Sequence, residues 1–153
     1  MNTEVVYFKA DNSIFDVAKI FSEHGISGAP VVEKGKVIGV ISETDIVNFM
    51  KIKLCSSLVV PSEVTHHSLS LLLLNFLRAG KDHLEFKNEL DRISKTKVED
   101  MMSREIVAVK PDTNLFEAAI LMEKHDVNRL PVIKDDKLIG IIARADLIKA
   151  LVT

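Results

Sequence analysis

The sequence predicts an α/β fold of two β-α-β-β-α units packed about a pseudo-twofold axis, with a helical insert between them. Three observations lead there. Laid over itself at an offset of 101, the chain aligns without a gap from Val5 to Met50 against Ile106 to Leu151. Identical residues fall together along that register, among them Asp11 with Asp112, Phe15 with Phe116, Ala18 with Ala119, His24 with His125, Pro30 with Pro131, Gly39 with Gly140 and Asp45 with Asp146. A gapless internal match of this length marks duplication of one supersecondary unit. Within each copy the apolar pattern runs from helical spacing to strand-like runs. Finally, 47% of the residues are apolar but only 5% aromatic, so the core must be aliphatic.

Each unit opens on a short extended run, Val5 to Phe8 or Ile106 to Val109. The polar clusters Asp11-Asn12-Ser13 and Asp112-Thr113-Asn114 follow and supply helix N-cap chemistry. The helix after them buries one stripe, Ile14, Val17, Ala18 and Phe21 in the first copy and Leu115, Ala118, Ala119 and Met122 in the second. Gly25 stops the first helix, and Asp126 holds the same place in the second. A strand resumes through Ala29 to Val32 or Leu130 to Ile133, turns at Glu33-Lys34-Gly35 or Lys134-Asp135-Asp136, and returns as Val37 to Ile41 or Leu138 to Ile142. The last helix opens near Ser42 or Ala143. The units span 1–52 and 98–153, and 53–97 is too long for a structureless connection, so helices are expected there.

Composition bounds the function. Twenty Lys plus Arg against 22 Asp plus Glu give a formal charge of −2 without a long block of one sign, which disfavours a broad nucleic-acid surface. A lone cysteine, Cys55, excludes an internal disulfide. The opening MNTEVVYFKADNS lacks a basic stretch followed by an apolar one, and the most apolar window, Leu69 to Leu77, is shorter than the roughly 20 residues of a membrane span; a cytoplasmic chain is expected. That window exceeds one helical face, so a homodimer contact is expected on it. Cys55, His66, His67 and His83 match no standard zinc spacing, and no metal site is expected. No nucleophile-base constellation or glycine-rich phosphate loop occurs either, so the chain does not read as an enzyme.

The segments GISGAPVVEKGKVIGVISETDIV and VNRLPVIKDDKLIGIIARADLI resemble the two halves of a CBS-domain pair, the tandem module named after cystathionine β-synthase. VEDMM at 98 to 102 resembles the family's lead-in to a repeat. The first repeat departs from the pattern: Met1 aligns with Met102, so it has no counterpart of Val98 to Met101, and its opening strand is expected to be short or completed by another segment.

The resemblance implies clefts between the repeats that bind adenosine-containing ligands such as AMP, ADP, ATP or S-adenosylmethionine. It assigns one cleft to Asp45, Ser42, Ile26, Ser27, Gly28 and Asn12, with Arg129 reaching in from the second repeat. It assigns the other to Asp146, Val127, Asn128, Arg129, Thr113 and Arg144. A carboxylate matches the paired ribose hydroxyls, a serine at a helix start can donate to phosphate, and an arginine grips phosphate with a planar fork. The second repeat has Ala143 for Ser42, and the first has Gly28 where the second has Arg129. The Asp45 cleft is therefore expected to be the stronger one for phosphorylated ligands. Beside this stands a purely local reading, because Ser42-Glu43-Thr44-Asp45 is nearly a capping box. Ala143 has no capping side chain while Asp146 persists, so a box is not expected to explain both aspartates. The functional expectation is a regulatory ligand-sensing module, with a regulated partner protein as its output. The alternative is an interaction and dimerisation module with vestigial clefts.

Overall fold

The computed structural model describes residues 3–57 and 84–152. The apolar run 69–77, on which a dimer contact was expected, lies outside the described residues, as do His66, His67, His83 and the side chain of Cys55.

The first repeat is built from α1 (Ile14–His24), β1 (Gly28–Glu33), β2 (Lys36–Ser42) and α2 (Glu43–Ser57). Ser13 starts α1 by accepting the Asp16 N–H and donating its hydroxyl to the Asp16 carboxylate at 2.7 Å. Gly25 ends it at φ +61°, a left-handed position that suits a residue without Cβ. The buried face is Ile14, Val17 and Phe21, with Phe21 edge-on to Phe8 at 5.8 Å between ring centroids. Ala18, expected on that stripe, is exposed, because it lies about 100° round the helix from Val17. The strands form an antiparallel hairpin whose two-residue loop, Lys34-Gly35, has both φ angles positive.

The second repeat follows the same plan with α4 (Leu115–Lys124), β3 (Arg129–Lys134), β4 (Lys137–Ala143) and α5 (Arg144–Ala150). Asn114 caps α4, Asp126 takes the left-handed position past its end at φ +50°, and Asp135-Asp136 form the positive-φ turn. The pairing register reproduces that of the first repeat, bulge included: Gly28 faces Ser42 as Arg129 faces Ala143, and the bulge falls after Val31 as after Val132. The insert contributes α3 (Leu84–Lys95), which packs on α1 and buries Ile93.

Two expectations change. The runs Val5 to Phe8 and Ile106 to Val109 are not full strands but make one parallel bridge each, Phe8 with Val31 and Val109 with Val132. Proline is the reason. Phe8 N–H donates to the Pro30 carbonyl and Val32 N–H donates to Phe8. The next bond down the ladder would need the N–H that Pro30 lacks, and Pro131 blocks the second copy in the same way. Leu115, expected on the buried stripe, is 45% exposed where its counterpart Ile14 is 3%. Ile14 is covered where the chain after α3 passes α1, its N–H donating to the Thr96 carbonyl, whereas α4 packs on α5 and β3.

Part of the first repeat's core is supplied from further along the chain. The lead-in to the second repeat, including a short 3-10 turn at Val98–Asp100, packs into the first. Val98 is fully buried and Met102 nearly so, both against Phe8, Ile14 and Ile41. Val98 N–H donates to the Asn12 carbonyl and Glu99 N–H to Ala10, and Ser103 exchanges both backbone bonds with Val40 at 2.9 Å. Gly39 makes room for this: a Cβ there would sit 2.7 Å from the Ser103 carbonyl oxygen.

Candidate functional site

The two repeats meet along β2 and β4, and an exposed ion pair, Lys36 to Asp136 at 3.1 Å, ties β2 to the opposite turn. Beside this seam lies a cavity of about 520 Å³, within the size range of small-molecule sites. One wall is the start of β1 and the junction of β2 with α2, Ser27 to Pro30 and Ser42 to Asp45. The other is the approach to β3, His125 to Arg129, and the lead-in adds Ser103, Glu105 and Val107.

Of the residues assigned to the first cleft, Ser27, Gly28, Ser42, Asp45 and Arg129 line this cavity. Val127 and Asn128, assigned to the second cleft, line it too. Ile26 packs instead against the first core. Asn12 and Thr113 accept backbone N–H bonds from Lys9 and Lys110, closing the turns before α1 and α4. Asp146 and Arg144 stand outside the lining, and the Arg144 guanidinium lies 4.0 Å from the Asp126 carboxylate.

Residues assigned to neither cleft from the sequence also stand in the wall: Glu43, Glu105, His125 and Asp126. Glu43 was legible as the acid following Ser42. Glu105 was not, because its place depends on the lead-in crossing to the first repeat.

The β2–α2 junction is tightly bonded. Asp45 Oδ2 accepts both the Ser42 N–H and the Ser42 hydroxyl at 2.8 Å, while the Asp45 N–H donates to Ser42 Oγ at 3.3 Å. The Glu43 N–H donates to the Ser27 carbonyl. In the second repeat Asp146 Oδ2 still accepts the Ala143 N–H at 3.0 Å. The expectation that capping cannot explain both aspartates is therefore corrected. The carboxylate half of a capping box works without the hydroxyl half, because it needs only the backbone N–H of the N-cap residue.

Arg129 crosses from the second repeat to the first. Its guanidinium donates to the Gly28 carbonyl and, at 2.6 Å, to Ser27 Oγ. It is half-buried, and burial lowers its pKa while the negative charge of Glu43 acts the other way. Gly28, at the position equivalent to Arg129, has little room to be anything larger, since a Cβ would meet the Ile41 carbonyl oxygen at 3.1 Å. The wall is thus built asymmetrically: one repeat supplies the side chain and the other the backbone that receives it.

A duplicated α-β-β-α unit, opened in each copy by a single bridge and joined to its twin along β2 and β4, defines a tandem-repeat module with a cavity at its seam. A family model described as the CBS domain matches residues 1–52 and 98–153, and the chain belongs to that family. Over 155 aligned residues it is 41% identical to the uncharacterized protein MJ1426 of Methanocaldococcus jannaschii, covering 99% of this chain and 88% of that one. It spans only 36% and 42% of two longer relatives from the same organism. The crystal structure of CBSX2 in complex with AMP matches with a TM-score of 0.68 at 22% identity, over 99% of this chain and 92% of that one. The CBS-domain pair of MJ0100, in complex with 5′-methylthioadenosine and S-adenosyl-L-methionine, matches with a TM-score of 0.65 at 20% identity, over 99% and 90%.

Proposed function

We propose that the chain is a regulatory module that senses an adenosine-containing ligand in the cavity between its repeats. The observation that carries this reading is the pairing of Asp45 from one repeat with Arg129 from the other across a single cavity. A ligand held there touches both repeats and biases their relative orientation through its differential affinity for the two arrangements. The bonds to Asp45 among the described residues fall on Oδ2, and Oδ1 is the oxygen to meet a ribose hydroxyl. The AMP complex of CBSX2 and the 5′-methylthioadenosine and S-adenosylmethionine complexes of MJ0100 support an adenosyl ligand. The module has no catalytic step of its own and passes its signal to a partner protein or a further domain in the cytoplasm. Homodimerisation through the apolar run 69–77 belongs to the same proposal.

A ligand that binds only the folded state raises its stability by about 2.7 kcal/mol at a hundredfold excess over Kd. Thermal unfolding with AMP, ATP, S-adenosylmethionine and 5′-methylthioadenosine should therefore show an upward shift in Tm with at least one of them. Asp45→Asn keeps an acceptor for the Ser42 N–H but removes the charge. It should weaken binding roughly tenfold or more, as loss of a charged hydrogen bond does. No shift with any of the four leaves the alternative, an interaction module with vestigial clefts.

A further inference from the structure

Several of the groups that could grip a phosphate in this cavity, Ser42 and Arg129 among them, are already bonded within the chain, and the charge around them is negative. The α2 N-terminus would be a natural anion site if its first N–H groups were open. Instead the Ser42 N–H is taken by Asp45, the Glu43 N–H by the Ser27 carbonyl and the Asp45 N–H by Ser42 Oγ. The Ser42 hydroxyl donates to Asp45. Arg129 directs one donor from each Nη to the first repeat, to the Gly28 carbonyl and Ser27 Oγ. Two acids in the first turn of α2, Glu43 and Asp45, oppose the positive end of the helix. Around the cavity stand four carboxylates, Glu43, Asp45, Glu105 and Asp126, against the single guanidinium of Arg129 and His125. Arg144 offsets Asp126 from 4.0 Å outside the lining and leaves the other three.

We infer that this cleft selects adenosyl ligands whose 5′ substituent is uncharged or cationic, and discriminates against 5′-phosphates. This rests on the adenosyl reading above, and it runs against the preference for phosphorylated ligands expected from Ser42 and Arg129 by sequence. A sulfonium at the 5′ carbon is attracted by the carboxylates, and a neutral thioether needs no anion donors and meets no like charge. A phosphate must instead compete with these internal bonds for Arg129 and Ser42 while facing like charge.

Isothermal titration of the full chain at low salt, with 5′-methylthioadenosine, S-adenosylmethionine, AMP and ATP as probes, tests it. The first two should bind more tightly than AMP by roughly tenfold, with ATP weaker still, since each exposed like-charge contact is worth up to a few-fold. The gap should narrow as added salt shortens the screening length. The double variant Glu43→Gln, Glu105→Gln should improve AMP binding by roughly two- to fivefold and weaken S-adenosylmethionine, whose sulfonium loses the same two charges; AMP binding no better in the variant counts against the selectivity. AMP or ATP binding as tightly as 5′-methylthioadenosine to the unaltered chain overturns this selectivity and leaves the adenosyl reading standing. Binding of none of the four sinks the adenosyl reading itself, and the selectivity with it.

Discussion

Asp146 holds the start of α5 with one hydrogen bond where Asp45, with Ser42, holds α2 with three. Comparing the two repeats made both aspartates legible in the sequence. It also invited too strong a conclusion, because the missing serine removes only the hydroxyl half of the box. The two halves separate by mutation. Ser42→Ala should cost about 1 kcal/mol in urea denaturation, the usual effect of losing an N-cap side chain, and leave α2 with the single bond seen at α5. Asp45→Ala removes the acceptor of both Ser42 bonds and should cost more. Equal losses for the two variants would mean that the hydroxyl alone holds the junction. Arg129 was legible as a cation near the seam, but its partners were not. They are a backbone carbonyl and a serine about 100 residues away, and pattern alone does not specify such contacts.

At the scale of elements the helices and hairpins of the two repeats were legible, because their signals are local: Ser13 and Asn114 as caps, Gly25 as a stop, and the polar turns at 33–35 and 134–136, of which the structure uses the last two residues as the loop. The failures came where an element's fate depends on its neighbour. Val5 to Phe8 has strand composition, but its partner strand offers Pro30 where a donor is needed. Leu115 has a core position's spacing but no described cover. Gly39 belongs to the same class of neighbour effect, since its constraint is the lead-in lying across it. Gly39→Ala drives a Cβ to 2.7 Å from the Ser103 oxygen and 2.8 Å from Met102 Sδ, so the β2 edge must move. A loss of about 1–3 kcal/mol is expected, with weakened amide protection at Val40 and Ser103. Gly35→Ala is the control. Nothing lies within 4 Å of its Cβ, so its cost, about 1–2 kcal/mol, comes from φ +81° alone, and the Val40–Ser103 pairing should survive. If Gly35→Ala perturbs that pairing as much as Gly39→Ala does, the close approach is not what holds the lead-in.

In the whole molecule the two repeats are interlocked rather than merely adjacent. In sequence, residues 98 to 103 precede the second repeat and read as belonging to it. Only the fold reveals that Val98 and Met102 complete the first core, so that the chain must cross back to the first repeat before it builds the second. The surface tie between Lys36 and Asp136 adds little, because exposed pairs contribute about 0–1 kcal/mol; Lys36→Ala should change stability by less than about 1 kcal/mol. Val98, fully buried, is the stronger link. Val98→Ala should cost about 2 kcal/mol, from lost apolar contact and the cavity left behind. Its signature is where the loss appears. Hydrogen exchange should quicken first at β1 and β2, in the repeat that Val98 packs into, although the mutated residue belongs by sequence to the second. Urea unfolding should remain one transition with an unchanged m value, because residues 98 to 103 cannot leave the first repeat without releasing the approach to the cavity. Loss of protection confined to β3 and β4, or a transition split in two, would mean that the repeats fold as separate bodies. A ligand at their seam would then have no shared structure through which to act.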